Sequence, residues 1–557
     1  MRLSRATRTV SVAAAVLVGL ALPPLAAYAD DPPESTTIAG TAEDYNTVHT
    51  ASDGDLWASC QSDDGALYAA NGDGTGFDLG HPHNTVTEDI VVNRITGTPA
   101  VQNSVRGQVV AIGGDPKGGP GKSVGEIWSG LDFNRKPTGM LCVGGDLYLA
   151  VQDLRKQDFG AAPAASILLS HDHGRTWFWN REKMFDTQFT TIFFADYGRD
   201  SVNAPDPNFL YAYGLDETWA GRTKLFLARF PRNGVLDRQA WQWWTGTGWS
   251  IPGDMDSKQP VIEDTRPPAG RISQGGVVYD KPLGKYIYSS WIEHTDVVTF
   301  QFYESPTPWG PWSVFLFKNF LSKCFDHHTP RWNPTFYGGY ATTIPSKFIS
   351  SDGRTLWVQS NVLFIFDENN PDSCPAPQPD LKSYGFSLRR MWITTSDNLV
   401  RDPGFEGQQR FQVVGLPLPI GPVGPPWTTE GPDAHGIDSG LGLSHQGTYN
   451  AWIHPANRAS RAWNAITQEV PVKPHTRYTV SGWVQTSGSL TDGFFGVRNS
   501  DGRTVLQETR FGPAGPYTRL SVTFDSGDND KVTLFAGYWA PGSDSWLRFD
   551  DATLGPA

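Results

Sequence analysis

Asp55-Leu56-Trp57-Ala58-Ser59, then Ser62-Asp63-Asp64-Gly65, then Leu67-Tyr68-Ala69-Ala70-Asn71-Gly72-Asp73 is the stretch on which the fold turns. Asp64-Gly65 is a tight-turn signal between two strand-like runs, and Asp55 and Asp73 stand equally far from Asp64. Folded as an antiparallel hairpin, the segment brings both aspartates to one open end. Opposed residues in such a pair have Cβ atoms roughly 4.5–5.5 Å apart. Two carboxyl groups so placed can flank one bond of a substrate.

The unit recurs. A run of small and apolar residues leads through a turn into a strand carrying an aromatic: 136–141 into 145–150, 190–194 into 208–213, 275–279 into 284–288, and 341–345 into 351–357. Five copies at intervals of about 60–80 residues, each with room for four strands, predict an all-β chain that opens with a five-bladed β-propeller over residues 30–395. Its first and last strands are expected to share a sheet and close the ring. Ser170-His171-Asp172-His173-Gly174-Arg175-Thr176-Trp177 matches the Asp box, S-x-D-x-G-x-T-W. In sialidases and other propellers that motif closes a hairpin on the outer part of a blade, so Asp172 is read as structural.

At 557 residues the chain has room for two or three domains, and 59 Gly with 42 Pro suit short strands joined by many turns. Outside the first residues no long stretch has the helical period, so helix is expected to be scarce. Arg2, Arg5 and Arg8, an apolar run over 10–22 and Ala27-Tyr28-Ala29 read as an export signal over residues 1–29. No other segment is long and apolar enough to span a bilayer. The leader holds three arginines and no acid, so the formal charge of −13 becomes −16 on its removal. Such an acidic, secreted, extracellular protein is a poor partner for nucleic acid; a neutral polysaccharide fits better, and a monomer is expected. Of four cysteines, Cys60, Cys142, Cys324 and Cys374, none has CxxC spacing, and three disulfide connectivities are open. Proximity in blade order favours Cys60 with Cys142 and Cys324 with Cys374.

A second domain is expected over residues 396–557. The propeller's last strand would be 384–393, after the proline-rich segment 371–379. Asn398-Leu399-Val400-Arg401-Asp402-Pro403-Gly404-Phe405-Glu406, Tyr478-Thr479-Val480-Ser481-Gly482-Trp483-Val484 and Trp546-Leu547-Arg548-Phe549-Asp550-Asp551-Ala552 resemble the jelly-roll carbohydrate-binding modules. That resemblance implies a structural calcium near Glu406 and Asp551, carboxylates suiting so hard an ion. A β-sandwich with no ligand fits the same residues.

The first part resembles the endo-D-arabinanases of glycoside hydrolase family 183, built on the domain of unknown function numbered 4185. The residues that carry it are Asp55 with Trp57, Asn71-Gly72-Asp73, Ala195-Asp196-Tyr197-Gly198-Arg199-Asp200 and Pro308-Trp309-Gly310-Pro311-Trp312. The resemblance implies hydrolysis of internal D-arabinofuranosyl linkages of a cell-wall arabinan by two first-blade aspartates, with inversion; Asp55 and Asp73 match those positions. The family's Gly-Asp-Thr strand end reads Gly72-Asp73-Gly74 here.

The chemistry also stands on the residues. An inverting glycosidase needs one protonated carboxyl and one carboxylate roughly 6.5–9.5 Å apart, and neighbouring carboxylates raise one another's proton affinity. Asp55 is taken as base and Asp73 as acid. Both could equally cap hairpin ends, in which case Asp196, Asp200, Asp206, Asp216, Glu217 or Glu293 would supply the acid. Trp57, Lys136, Gln274, Tyr337 and Tyr340, with Arg135, are candidates to line the sugar site. No cofactor is expected for catalysis: His81, His83, His327 and His328 read as solvated loop residues, since adjacent residues on an extended chain point to opposite faces. Two other functions stay open. One is another propeller glycosidase, such as a sialidase, although three arginines for a sialic carboxylate are not evident; the other is a non-catalytic glycan-binding protein.

Overall fold

The computed structural model describes residues 31–78, 90–112, 128–178, 182–294, 297–320, 340–362, 384–455, 461–540 and 544–557. The protein is all-β, with no α-helix among those residues and therefore none long and apolar enough to cross a membrane. The export signal, Cys324, Cys374, Tyr337 and the four loop histidines lie outside the described residues.

Each recurring hairpin opens a group of strands. Asp53–Gln61 and Leu67–Gly76 are followed by Val91–Thr96 and Arg106–Ile112 in one four-stranded sheet. Phe133–Val143, Asp146–Arg155, Ala164–Ser170 and Phe185–Asp186 form the next. The groups beginning at Thr191–Asp196 and Gly276–Asp280 meet through a short parallel pairing, Ala195 with Val277 and Asp196 with Val278, and so make one nine-stranded sheet. In the last group Thr343 bridges Gln359 in Thr355–Val362, which pairs with Tyr384–Thr395. There the expectation that first and last strands share a sheet is met: Ile38–His49 pairs antiparallel with Tyr384–Thr395, Ile38 against Thr395 and His49 against Ser387.

The first strands of all five groups approach one another around a narrow cavity of about 30 Å³, touched by Ala58, Thr138, Phe193, Gly276 and Ile344. Gly139 permits that approach, because a Cβ there would lie 2.7 Å from Phe193 Cα. Cys60 and Cys142 are disulfide-bonded as expected, tying the first hairpin to the second. In the Asp box Asp172 accepts from the amides of Arg175 (3.1 Å) and Thr176 (2.8 Å), while Trp177 is buried and donates to Gly174 O. Its role is structural, as the motif implied.

Beyond Asn398 a separate core forms from Val400, Phe405, Trp427, Phe495, Phe549 and their neighbours. It lies between a six-stranded sheet containing Tyr449–His454, Leu547–Pro556 and Arg477–Thr486, and a five-stranded sheet containing Ala462–Pro471, Lys531–Ala540 and Gly493–Asn499. The two cores are joined by direct bonds. Arg390 pairs with Asp44 and donates to Gly407 O at 2.9 Å, and Arg410 and Ala100 share a backbone bond of 2.9 Å.

Two acids near this joint carry a pH signature. Burial, with the charge of Asp352 adding, pushes Asp280 and Asp402 each up to about 7. The unfolded chain releases these protons near 3.8, so between roughly pH 4 and 7 the folded state holds more protons and its stability falls as pH rises. Thermal melts should show the midpoint dropping across that window, with a shallower drop in Asp402→Asn. Equal slopes in the two proteins would show that Asp402 does not carry the effect.

Candidate active site

In the first hairpin Ala58–Gln61 pairs with Leu67–Ala70 in the register centred on Asp64, as the sequence predicts. Beyond Ala58 the register changes. Leu56 and Trp57 adopt φ of 70° and 47°, and Asp55 falls opposite Gly72 instead of Asp73. A bulge of this kind adds a residue to one strand and re-aims its neighbours. Its cause is Trp57, which is fully buried, lies edge-on to Phe77 (5.8 Å) and Phe386 (5.4 Å), and donates to Gly54 O at 2.9 Å. Trp57 therefore cannot offer a face to a sugar, and its place among the sugar-lining candidates is corrected to that of an anchor beneath the site.

Asp55 is 4% exposed, and its Oδ2 accepts a 2.7 Å bond from the Tyr340 hydroxyl. Asp73, at φ 48°, forms a salt bridge with Lys136, whose side chain is buried while the Asp73 carboxylate is 45% exposed. Gly72 lies between them. A Cβ at that position would come 2.8 Å from Asp55 Oδ1 and 3.3 Å from Lys136 Nζ, so the carboxylate and the ammonium bound to Asp73 share the space that glycine leaves open. The aspartates thus reach one site from neighbouring strands, with the lysine head group bonded to Asp73 close by.

Asp55, Asp73, Lys136 and Tyr340 all line a cavity of about 860 Å³. Its wall is aromatic: Trp219, Trp291 and Tyr340 pack with ring centroids 5.2–5.6 Å apart. Phe159, 42% exposed, stands at the rim, its carbonyl accepting a 2.8 Å bond from Trp219 Nε1. Rings of this kind can stack on the apolar faces of a sugar while their polar edges bond hydroxyls. Trp219 and Phe159 did not emerge from the sequence, because nothing local separates them from the other tryptophans and loop aromatics.

Other candidates fall elsewhere. Gln274 is buried and acts as a strut: its Nε2 donates to Pro137 O at 3.1 Å, and its carbonyl accepts from Trp291 Nε1 at 2.7 Å. It steadies the chain next to Lys136 and is corrected from lining residue to support. Arg135 is buried opposite Asp153, on the other face of the strand from Lys136. Asp196 is held by Ser346 and Gly198 at 2.6–2.9 Å beside the narrow cavity, with burial raising its proton affinity. Asp200 accepts from Gly145 N, Asp206 from Asn208 N and Asp216 from Phe189 N, while Glu217 pairs with Arg222; none of the four lines the larger cavity. The side chain of Glu293 lies outside the description.

Glu406 and Asp551 both come near Gly404. The Glu406 carboxylate accepts from Thr448 N (2.7 Å), Tyr449 N (2.9 Å), Thr448 Oγ1 (2.9 Å) and Ser351 Oγ. Four donors occupy the roughly four acceptor sites of a carboxylate, so Glu406 as arranged latches two loops and does not fit a calcium ligand. Asp551 bonds His445 Nδ1, and its neighbour Asp550 is pushed up to about 9 by burial and then by the charge of Asp551. Among the described residues one group of three acid or histidine ligands converges, Asp63, Asp64 and His173. Its carboxylates already have partners, Asp63 bonding His173 Nε2 at 2.7 Å and Asp64 pairing with Arg94 at 2.9 Å.

Residues 49–361 match the domain of unknown function DUF4185, and because the match spans more than half of the chain, the protein belongs to the DUF4185 family. No curated protein matches it. Among solved structures, an exo-β-1,3-galactanase from Phanerochaete chrysosporium bound to β-1,3-galactotriose aligns at 10% identity over 90% of this chain and 100% of its own, TM-score 0.31. The module TmCBM61, in complex with β-1,4-galactotriose, aligns at 17% identity over 29% of this chain and 100% of its own, TM-score 0.23. A xylan-binding domain from Paenibacillus barcinonensis aligns at 18% identity over 24% and 88%, TM-score 0.20. Likenesses this distant leave the function to be argued from the site.

The packing around Gly72 predicts that Gly72→Ala displaces Asp55 or Lys136 and lowers any activity of this site by at least about tenfold, equivalent to 1.4 kcal/mol of barrier. Tyr340→Phe removes one hydrogen bond to Asp55 while keeping the ring, and should lower kcat more than it changes KM. Full activity in both variants would show that the Asp55 environment does not matter to the chemistry.

Proposed function

We propose that the protein is a secreted glycoside hydrolase that cleaves internal arabinofuranosyl linkages of a cell-wall arabinan, D-arabinan in the first instance, with inversion. The observation that carries this reading is the meeting of Asp55 and Asp73 in one aromatic-walled cavity, with Lys136 and Tyr340 bonded to them. The chain belongs to the DUF4185 family, the domain on which the arabinanases that its first part resembles are built. The reading includes a five-bladed propeller, supported by the five first strands around one narrow cavity and by the shared sheet of the first and last strands.

The roles follow from the surroundings and reverse the sequence-based choice. Asp73 is salt-bridged and partly exposed, so it has solvent at hand for the attacking water. Asp55 is buried against the Tyr340 hydroxyl, away from bulk solvent, and is assigned the role of the acid that protonates the leaving oxygen. Water attacks the anomeric carbon as Asp73 removes its proton. The glycosidic bond breaks, and the proton of Asp55 passes to the departing oxygen. Lys136 holds Asp73 in place, and the inverting reading requires the two carboxyl groups to stand roughly 6.5–9.5 Å apart with a water between them. Among the described residues Arg222 is the one arginine lining the cavity, which argues against a site built to grip a sialic carboxylate.

Asp55→Asn and Asp73→Asn should each lower turnover on arabinan by several orders of magnitude, since an amide can neither donate an acidic proton nor accept one from water. An aryl arabinoside with an activated leaving group separates the roles: Asp55→Asn should recover activity on it and Asp73→Asn should not. Near-normal turnover of arabinan by either variant would assign that residue to structure alone.

A further inference from the structure

Between the two cores the chain makes a hairpin that is apolar where an exposed turn is ordinarily polar. Its base is fastened to the first sheet: Arg410 N donates to Ala100 O at 2.9 Å, Gln102 N to Arg410 O at 3.1 Å, and Gln409 Nε2 to Pro99 O at 2.9 Å. Beyond it Gln412 and Val413 pair antiparallel with Pro417 and Leu416, which leaves Val414-Gly415 as a two-residue turn. Gln412 is turned to the first sheet, donating to Asn103 O at 3.0 Å, so Val413 and Leu416, opposed across the ribbon, face the other way. Val414 is 96% exposed, Leu416 72% and Val413 54%, with Phe411 and Ile420 exposed at the base. No residue from 411 to 429 is charged.

Val414 is unfavourable there in two ways. With φ of 49° at Val414 and 78° at Gly415, the turn has both central residues in the left-handed region, for which Asn-Gly is the favoured sequence. A β-branched residue adopts that conformation rarely and with strain. The valine therefore strains the backbone and holds an aliphatic side chain in water, and asparagine would avoid both. A position that costs stability twice over points to a function outside the fold. The shape of the tip narrows the partner. A specific protein interface covers about 800 Å² on each side, and three aliphatic side chains at the end of a two-stranded ribbon offer far less. A lipid surface asks for no matching pocket, only for protruding apolar side chains with no charge among them. Because the hairpin is uncharged and the chain carries a formal charge of −13, neutral headgroups suit it better than anionic ones.

We infer that the hairpin tip, residues 413–416, inserts into a neutral lipid surface and holds the protein there. The tip does not compete with the Asp55–Asp73 cavity. In the first sheet Asn71 pairs with Val91 near Asp73, and Leu67 with Ile95 near the Asp64 turn, so the loop 97–105 that fastens the hairpin leaves the sheet at the end away from Asp73. The inference does not depend on that cavity being catalytic.

The test is flotation of the secreted form, from Asp30 onward, with phosphatidylcholine vesicles over a series of lipid concentrations at low and high salt; the leader is left off because its apolar run over 10–22 would itself enter lipid. Protein should rise with the vesicles, and as much of it at high salt as at low, since no charge pairing holds it. Val414→Asn should weaken the partitioning by at least about tenfold, the size of one buried valine side chain, while the thermal midpoint stays level or rises as the turn is relieved of strain. Leu416→Thr, outside the turn, should weaken it independently. The inference is overturned if the unsubstituted protein does not float, if its binding disappears at high salt, or if both variants float as it does. It is overturned equally if Val414→Asn lowers the thermal midpoint, which would make the valine structural, or if light scattering shows a dimer that Val414→Asn abolishes in a protein that ignores lipid, which would place a second copy on the tip. No arm reads hydrolysis, so failure of the arabinanase reading leaves the result untouched.

Discussion

The burial of one indole sets the geometry of the candidate site. Trp57 would face solvent at the open end of an ideal hairpin, and hiding a side chain of that size in the core is worth on the order of 2–3 kcal/mol. To reach the space between Phe77 and Phe386 the chain must bulge, and the bulge takes Asp55 out of line with Asp73 and sets it against Gly72 and Tyr340. A regular hairpin would place two carboxylates face to face at a distance suited to mutual repulsion. The bulged one offsets them, Asp55 falling opposite Gly72 while Asp73 pairs with Lys136.

The site belongs to no single sheet. Asp55 and Asp73 come from the first hairpin, Lys136 from the start of the second, Trp219 from the loop after Phe209–Leu215, Trp291 from Lys285–His294, and Tyr340 from the segment leading into the last group. Each group delivers its residue from the same end of its strands. The cavity therefore exists only when the five groups are assembled, which makes the pairing of Ile38–His49 with Tyr384–Thr395 and the Cys60–Cys142 bridge indirect supports of the site. Phe386, which flanks Trp57, lies on that same closing strand.

This division between local and distant causes explains what the sequence revealed. The Asp64-Gly65 turn, the register of Ala58–Gln61 against Leu67–Ala70, the five recurring hairpins and the Asp box all depend on neighbours within a few residues, and all were legible. The displacement of Asp55 was not, because Phe386 lies 329 positions from Trp57 along the chain. Reading Trp57 as a sugar platform failed for the same reason: a tryptophan beside a carboxylate looks alike in sequence whether it faces a ligand or the core. Tyr340 and Lys136 were found because they end predicted inner strands. Trp219 and Phe159 escaped because loops carry no period. Glu406 shows the opposite case, a carboxylate in a motif that suggested a metal but satisfied by Thr448, Tyr449 and Ser351 in the folded chain.

The claim at the centre of this account is that two carboxyl groups in one cavity hydrolyse a furanoside by a single displacement. Proton NMR of the wild-type protein mixed with D-arabinan tests it most directly, by following the anomeric signals of newly formed reducing ends before they mutarotate. The account predicts new reducing ends on shortened chains, appearing first as the anomer opposite to the linkage cleaved. First appearance of the same anomer would contradict the inverting pair of Asp55 and Asp73, and an unchanged spectrum would contradict hydrolysis of this polymer altogether.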